Sequence, residues 1–373
     1  MDVYITFYSV FPKNRIYLYN GFSFGRNKDT DKIDLFIADN ASTDEILYNV
    51  KKFNPQRVWC SVSMFSHFLK IADIADEKWI VGGPITRKDY FNKNFKFLCV
   101  RTSMEEFCGC SKLSNDFDFY FDKFIDGLSN SKIMYSLSLG YGCYWSKCRF
   151  CSYKKFSGNG IVIRDVDKLF SSVPETKRGT NKLILHTCID SLPASVLEKV
   201  LSGYYNVNSF ASYIRADKDV ISVFEEYRRD LSDFTFSIGL ESFSQSIINK
   251  MNKGILIDDV IKLLRIVLDE GAIVYLSVLG WLPFITSNDV KESVYNIDII
   301  SNLQKISDKL FLIYNDKVYW PDLEVLQEYE FPIIKHELDG YVIEISEDCP
   351  QYNYSKIIEE KILTSFRRIV RGA

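Results

Sequence analysis

Apolar and polar residues alternate from Val3 to Val10 and again from Ile33 to Ala38, the period-two signature of half-buried strands. Thr43 to Phe53 instead repeats its apolar residues every three or four positions behind Ser42, which predicts a capped helix. Val58 to Met64 then reads as a buried strand and Ser66 to Ala75 as a helix. Trp79 to Val81 follows as a strand that runs into Gly82-Gly83-Pro84. Strand–helix–strand punctuation of this kind implies a parallel sheet and predicts a small doubly wound domain over residues 1–104.

The pattern fades from Glu105 to Asn130 into an acidic, aromatic stretch rich in Ser and Asn, which predicts a linker over 105–130. Alternation resumes over 131–316. The strand candidates are Met134–Leu139, Leu183–Leu185, Ser209–Tyr213, Phe234–Ile238, Ile273–Val278 and Leu310–Tyr314. Helical periodicity separates them at Val166–Ser171, Ala194–Leu201, Val220–Arg229, Val260–Asp269 and Val290–Leu303. Six strands with helical crossovers predict a partial (β/α)6 barrel of the TIM type, whose chemistry would gather at the carboxyl ends of the strands. The fold class is therefore α/β, with residues 317–373 as a small extension covering the barrel mouth.

Composition changes this picture little. The chain has 373 residues, 47% of them hydrophobic and 25% charged, so it can bury the cores of two modest domains. A formal charge of -3 without a long basic run excludes the electrostatic footprint of a nucleic-acid binder. No segment has the apolar length of a membrane span, and Met1 to Val10 reads as a strand rather than a signal peptide. A cytoplasmic location is expected from this. There the nine cysteines would be metal ligands, reactive thiols or buried small residues rather than disulfides.

Three of them lie in the run Gly142-Cys143-Tyr144-Trp145-Ser146-Lys147-Cys148-Arg149-Phe150-Cys151, just after the first barrel strand. Three thiolates on one loop can hold three irons of a four-iron cluster and leave the fourth iron open, as catalytic metal sites do. The bland alternative is structural zinc. It needs a fourth Cys or His, and the nearest candidates, Cys108 and Cys110, lie across the linker. Further on, Ser237-Ile238-Gly239-Leu240-Glu241-Ser242-Phe243 and Met251-Asn252-Lys253-Gly254 place an acid at a strand end and a lysine one short helix later. Alone these would be ordinary strand-end and surface charges.

Together the two stretches resemble the radical S-adenosylmethionine (SAM) superfamily, in the branch whose members often carry an amino-terminal cobalamin-binding domain. The resemblance implies that Cys143, Cys148 and Cys151 bind a 4Fe-4S cluster whose open iron is chelated by SAM. Reductive cleavage of SAM would then give a 5′-deoxyadenosyl radical that abstracts hydrogen from a substrate. Phe150 matches the aromatic that sits beside the adenine. Glu241, after Gly239, would accept from the ribose or methionyl group, and Lys253 would pair with the methionyl carboxylate. Ser212-Tyr213-Ile214-Arg215-Ala216-Asp217 resembles the third-strand end, where Arg215 either faces the cofactor or forms a helix-start salt bridge. Val278-Leu279-Gly280-Trp281-Leu282-Pro283 resembles the fifth-strand end, where Gly280 would let backbone meet adenine. His186-Thr187-Cys188-Ile189-Asp190-Ser191 departs from the family's glycine-glycine-glutamate pattern. The four-residue gap between Cys143 and Cys148 also departs from the usual three, so Tyr144 and Trp145 are expected to bulge near the cluster.

The first domain resembles the cobalamin-binding one through Asn54-Pro55, Val58–Met64 and Ile80-Val81-Gly82-Gly83-Pro84. The stretch from Ser9 to Gly25 nevertheless holds no His to ligate cobalt, which marks the domain as degenerate and argues against bound cobalamin. His67 starts a helix and reads as a capping or packing residue. Cys60 and Cys99 read as core. Cys188, at a strand end, and Cys349, in the tail, are candidate hydrogen-atom donors, with an inert thiol as the alternative for each.

The expected function is therefore that of a radical SAM enzyme acting on a peptide or small-molecule substrate. A ribosomally made peptide undergoing epimerisation, cross-linking, cleavage or rearrangement is the leading choice, with electrons from a flavodoxin or ferredoxin. The rivals are a cobalamin-dependent radical SAM methyltransferase and a non-catalytic zinc-binding module.

Overall fold

Val3, Ile5 and Phe7 put alternate side chains of β1 (Asp2–Phe11) into fully buried positions, as the period-two pattern requires. The computed structural model of the chain describes residues 2–11, 15–19, 32–38, 40–62, 65–82, 96, 98–99, 132–137, 139–151, 160–171, 173, 175–178, 183–187, 189, 191–280, 282, 284–315, 333–337, 340–344 and 350–372. Its contacts divide the chain into two units, Met1–Ser136 with Ser172–Leu185, and Leu137–Ser171 with His186–Ala373. The stretch 105–130, expected to be a linker, lies outside the described residues.

In the first unit β1 is followed by β2 (Arg15–Tyr19), β3 (Lys32–Ala38), α1 (Thr43–Lys51), β4 (Arg57–Ser61), α2 (Phe65–Ile74), β5 (Trp79–Gly82), β6 (Leu98–Cys99) and β7 (Lys132–Leu137). The side chain of Ser42 accepts from Glu45 N at 3.2 Å and caps α1, as its position before the apolar repeat predicts. β1 pairs in parallel with β3 and β4, β4 with β5, and β5 with β6. The parallel order β3-β1-β4-β5-β6 is the flavodoxin-like variant of the doubly wound fold. Its core joins Val3, Ile5 and Phe7 to Val58, Cys60, Val81 and Phe68. His67 is buried and stacks on Phe7 with ring centroids 4.2 Å apart, so it serves packing.

β2 is not among the strands that the sequence predicts. β2 runs antiparallel to the second half of β1, pairing Arg15–Tyr19 with Phe7–Phe11. At Phe7 and Tyr8, β1 carries β3 on one edge and β2 on the other, so β2 continues along the edge that β4 occupies at Asp2–Ile5. Doubly wound sheets bind ligands where the strand order reverses, at the carboxyl ends of what are here β1 and β4. This chain lays its own hairpin along that edge.

The second unit contributes β8 (Gly140–Gly142) and β9 (Ile161–Ile163), an antiparallel pair that brackets the cysteine run, and then α3 (Val166–Ser171). A short helix, α4 (Glu175–Arg178), and the first residues of the fully buried strand β10 (Leu183–Thr187) belong to the first unit, and the chain re-enters the second at His186 ahead of α5 (Ala194–Leu201). The rest is β11 (Phe210–Ile214), α6 (Lys218–Glu226), β12 (Phe234–Glu241), α7 (Gln245–Lys250), α8 (Ile257–Asp269), β13 (Ile273–Leu279), α9 (Ser287–Ile306) and β14 (Leu310–Asn315). A hairpin of β15 (Ile333–Glu337) and β16 (Gly340–Glu344), helix α10 (Pro350–Ser365) and β17 (Ile369–Gly372) close the chain.

β11, β12, β13, β14 and β17 are parallel neighbours in that order, a sheet that resembles a partial barrel. The four residues of β17 are too few to show a period, which is why the strand beyond β14 was not predicted. Ser212, Phe236, Val274 and Leu310 stand side by side in register and are all buried, with Phe224 of α6 against Phe236. The next row, Tyr213, Ser237, Tyr275 and Phe311, is partly or fully exposed. The first row is thus packed beneath α6, while the second is partly open. α9 runs longer than its apolar repeat because Thr286 and Asp289 form a capping box ahead of it.

Candidate active site

The site begins where β12 ends. Its pairing with β13 slips between Gly239 and Glu241, and Glu241 adopts φ +69°, a conformation that few residues other than glycine tolerate. The bulge turns the Glu241 carboxylate back over Gly239. A Cβ at Gly239 would stand 2.3 Å from Glu241 Oε1 and 2.7 Å from Lys253 Nζ, so a larger residue there would displace the pair from this position. Lys253 follows α7 and places Nζ 2.7 Å from Glu241 Oε1, with both residues buried. Removing two charges from water is expensive, and left-handed backbone at a non-glycine residue adds roughly 1–3 kcal/mol of strain. Neither is a natural way to stabilise a sheet, and their coincidence makes this the candidate site.

Arg215, just beyond β11, is buried and donates from Nη2 to Lys253 O at 2.5 Å. Its Nε is buried without a hydrogen-bond partner and lies 3.9 Å from Asp217 Oδ2. Asp217 caps α6 by accepting from Val220 N at 3.2 Å, and it also accepts from the Tyr144 hydroxyl. Burial and that bond to Asp217 push the Tyr144 phenol well above its ordinary range. Arg215 therefore makes the helix-start contact with Asp217 that its sequence context allowed, and it also reaches the Lys253 segment.

The cysteine run lies against the same segment. Cys143, Cys148 and Cys151 form no disulfide, with Cys148 buried and the other two half-buried. Burial pushes the Cys148 thiol above its ordinary value, while Lys253 and Arg215 pull it down and Cys143 and Glu241 push it up. Those five groups share one electrostatic neighbourhood. Phe150 lies beneath Lys253, whose Nζ is 5.6 Å from its ring centroid. Arg149 N donates to Met251 O at 2.9 Å, and the Trp145 indole donates to Asn252 O at 2.8 Å.

Gly280 donates from N to Asn315 O at 2.6 Å. With Ser242, Leu279 and Tyr314 it forms one side of a small pocket whose other side is Ser355, Ile358 and Ile362 of α10. Cys188 and Cys349 lie outside the described residues, as do Asp190, Trp281, Pro283, Cys108 and Cys110. Sequence reasoning missed Asp217 as the partner of Tyr144 and gave Trp145 no partner. It also assigned nothing to His186, which is buried against Tyr213 and whose imidazole burial lowers to about 4.

Among the described residues no three Cys, His, Asp or Glu side chains converge on a point where one metal ion could sit. A four-iron cluster does not need such convergence, because each thiolate binds a different iron. The donor set fits a cluster with an anionic ligand beside it. Three thiols stand on one loop, two cations lie near the buried thiol, and an arginine nitrogen is left without a partner. The first unit fits a corrinoid less well: residues 9–25 hold no imidazole, and β2 occupies the edge next to the switch point.

No family model matches the chain, and no curated protein is significantly similar to it in sequence. Its fold is nonetheless that of cobalamin-dependent radical SAM proteins. It matches OxsB, a cobalamin-dependent SAM radical enzyme with aqua-cobalamin and SAM bound, with a TM-score of 0.58 and 12% identity. The match covers 96% of this chain and 66% of that one, so the chain spans just under two thirds of the OxsB structure. It also matches TsrM from Kitasatospora setae, a radical SAM methyltransferase solved with tryptophan and a SAM analogue. There the TM-score is 0.54 at 10% identity, covering 91% of this chain and 86% of that one.

Proposed function

We propose that the chain is a radical SAM enzyme. Cys143, Cys148 and Cys151 would hold a four-iron cluster, and Glu241, Lys253 and Arg215 would hold SAM beside it. The observation that carries this reading is the buried Glu241–Lys253 pair on strained backbone, within the electrostatic field of a buried cysteine. A bound cluster would supply one electron to cleave SAM reductively. The chain's own part is to bind, orient and shield. Lys253 and Arg215 offer positive charge to a carboxylate, Gly239 keeps the backbone low beneath them, and Phe150 and the Gly280 pocket offer apolar surface to an adenine. The open row of Tyr213, Ser237, Tyr275 and Phe311 is the surface available to a substrate.

For the reaction outcome, the comparisons favour cobalamin-dependent methyl transfer over peptide maturation, because both proteins of like fold are described as cobalamin-dependent or as a methyltransferase. A corrinoid would have to be held without imidazole on cobalt, which the hairpin along β1 makes harder. Epimerisation, cross-linking, cleavage or rearrangement of a peptide is the second reading, favoured by that same feature. Flavodoxin or ferredoxin is the proposed electron donor for either.

Anaerobic reconstitution with iron and sulfide tests the main reading. A brown protein that releases 5′-deoxyadenosine from SAM under reduction is expected. A colourless protein that holds zinc and leaves SAM intact would overturn it. A corrinoid spectrum after reconstitution with cobalamin selects methyl transfer; its absence selects the second reading.

A further inference from the structure

The four-residue gap between Cys143 and Cys148 carries Tyr144 and Trp145, and the structure gives both a partner. The Trp145 indole donates to Asn252 O at 2.8 Å, and its ring lies flat on Gly254. A Cβ at Gly254 would stand 2.0 Å from the ring, and Gly254 has φ +69°, so no other residue would admit the indole there. The Arg215 guanidinium lies 5.2 Å from the Trp145 ring and 5.9 Å from that of Tyr144, so the two aromatics flank it. Tyr144 reaches on to Asp217, the cap of α6. Ser146, at φ +48°, supplies the turn that lets the chain come back to Cys148. Arg149 N then closes the loop onto Met251 O.

From these contacts we infer that Trp145 is a positioning residue: it fastens the cysteine loop to the segment 251–254. The loop that offers thiolates and the segment that offers Lys253 move as one body. The extra residue in the gap is what allows an indole to reach Gly254. Arg215 belongs to the same body, because it is covered by Trp145 and bonds Lys253 O. Loop order and ligand binding at Lys253 are therefore coupled: whatever frees the indole weakens both. The coupling to SAM rests on the reading above, whereas the brace itself exists without any cofactor.

Hydrogen exchange on the cofactor-free protein tests the brace. Trp145→Ala should speed exchange of the Arg149 amide about tenfold, the effect of losing one hydrogen bond and one ring contact, with exchange in β12–β14 unchanged. Trp145→Phe, which keeps a ring on Gly254, should restore part of the protection. Gly254→Ala should reproduce the Trp145→Ala effect, and the double variant should add little to either. Unchanged exchange at Arg149 in Trp145→Ala would overturn the inference, as would full additivity of the two substitutions. In the reconstituted protein, Trp145→Ala should retain its iron yet bind SAM about tenfold more weakly. A wild-type protein that takes up no cluster sinks the reading above without touching the exchange result. Unweakened SAM binding in Trp145→Ala would sink the coupling alone.

Discussion

The first unit ends its central strand in a hairpin, lays β2 along the edge that leads out of β4, and buries His67 against Phe7. The second unit ends β12 in a bulge, holds Glu241 in a left-handed conformation, and leaves a row of side chains open on one face of its sheet. Both sheets are parallel, so strand order alone would assign each a ligand site at its carboxyl ends. One edge is lined by the chain's own strand, while the other sheet ends in strained backbone beside a buried ion pair. The difference shows that fold grammar marks where a site can be, and the strand-end residues decide whether it is there.

The sharpest way to break this comparison is through cysteine. Cys148 and Cys60 are both buried free thiols, one in each unit. Cys148→Ala is expected to abolish cluster uptake and SAM cleavage, measured as iron per chain and 5′-deoxyadenosine released. Cys60→Ala should leave both intact, because the burial that pushes its thiol far up leaves it a small apolar residue in the core. Iron retained by Cys148→Ala would remove the chemical half of the contrast.

Charge comes next. Lys253→Met leaves the Glu241 carboxylate buried without its partner, and breaking a buried pair in this way costs roughly 3–5 kcal/mol. Arg57→Met breaks the pair with Asp2 at 3.7 Å, where the arginine side chain is 58% exposed, and should cost under about 1 kcal/mol. Urea denaturation of both variants measures the two losses. Equal losses would mean that the Glu241–Lys253 pair is more solvated than its burial shows.

Part of this contrast was legible in the sequence, and its limits have physical causes. Alternation found β1, β3 and β10–β14 because each buries at least one face, and Ser42 announced α1 because a hydroxyl before an apolar repeat is what a helix start needs. The hairpin strand β2 also alternates, in Arg15-Ile16-Tyr17-Leu18-Tyr19, yet its antiparallel pairing with β1 lies outside the strand–helix–strand pattern that organises the rest of the unit. At the site, Glu241 and Lys253 were found by resemblance, whereas their contact depends on a bulge that no local pattern encodes. The Trp145–Gly254 contact joins residues far apart in sequence, and spacing cannot show which glycine receives a ring. Cys188 and Cys349, candidate hydrogen-atom donors with an inert thiol as the alternative for each, lie outside the described residues and stay proposals.

A smaller effect in the second unit depends on pH. Burial lowers His186 from 6.5 to about 4, so the folded chain holds it neutral while an unfolded chain takes up a proton below about 6.5. With the folded value depressed, the stability it contributes is present above pH 6.5 and is lost as pH falls through 4. The loss is at most about 3 kcal/mol. His186→Phe should flatten the stability profile between pH 6.5 and 4, as followed by urea midpoints. A profile as steep as that of the parent protein would show that carboxylates, and not this imidazole, set the acid limb.

The finest test compares two helix caps. Ser42 caps α1 and Asp217 caps α6 by the same device, a side-chain oxygen accepting from the backbone three residues on. Ser42→Ala should cost about 1 kcal/mol and alter nothing in the second unit. Asp217→Asn keeps a capping oxygen, since Asn caps as well as Asp, so the helix should lose little. It removes the charge near Arg215 and changes what the Tyr144 hydroxyl donates to. The Tyr144 phenol should then titrate lower than in the parent, because the bond to a carboxylate and the carboxylate's charge both hold it up. Ultraviolet titration of the tyrosines in the two variants reads this directly. A shift in Asp217→Asn with none in Ser42→Ala would show one capping device serving only its helix in the first unit and the candidate site as well in the second. No shift in either would reduce Asp217 to a cap like any other.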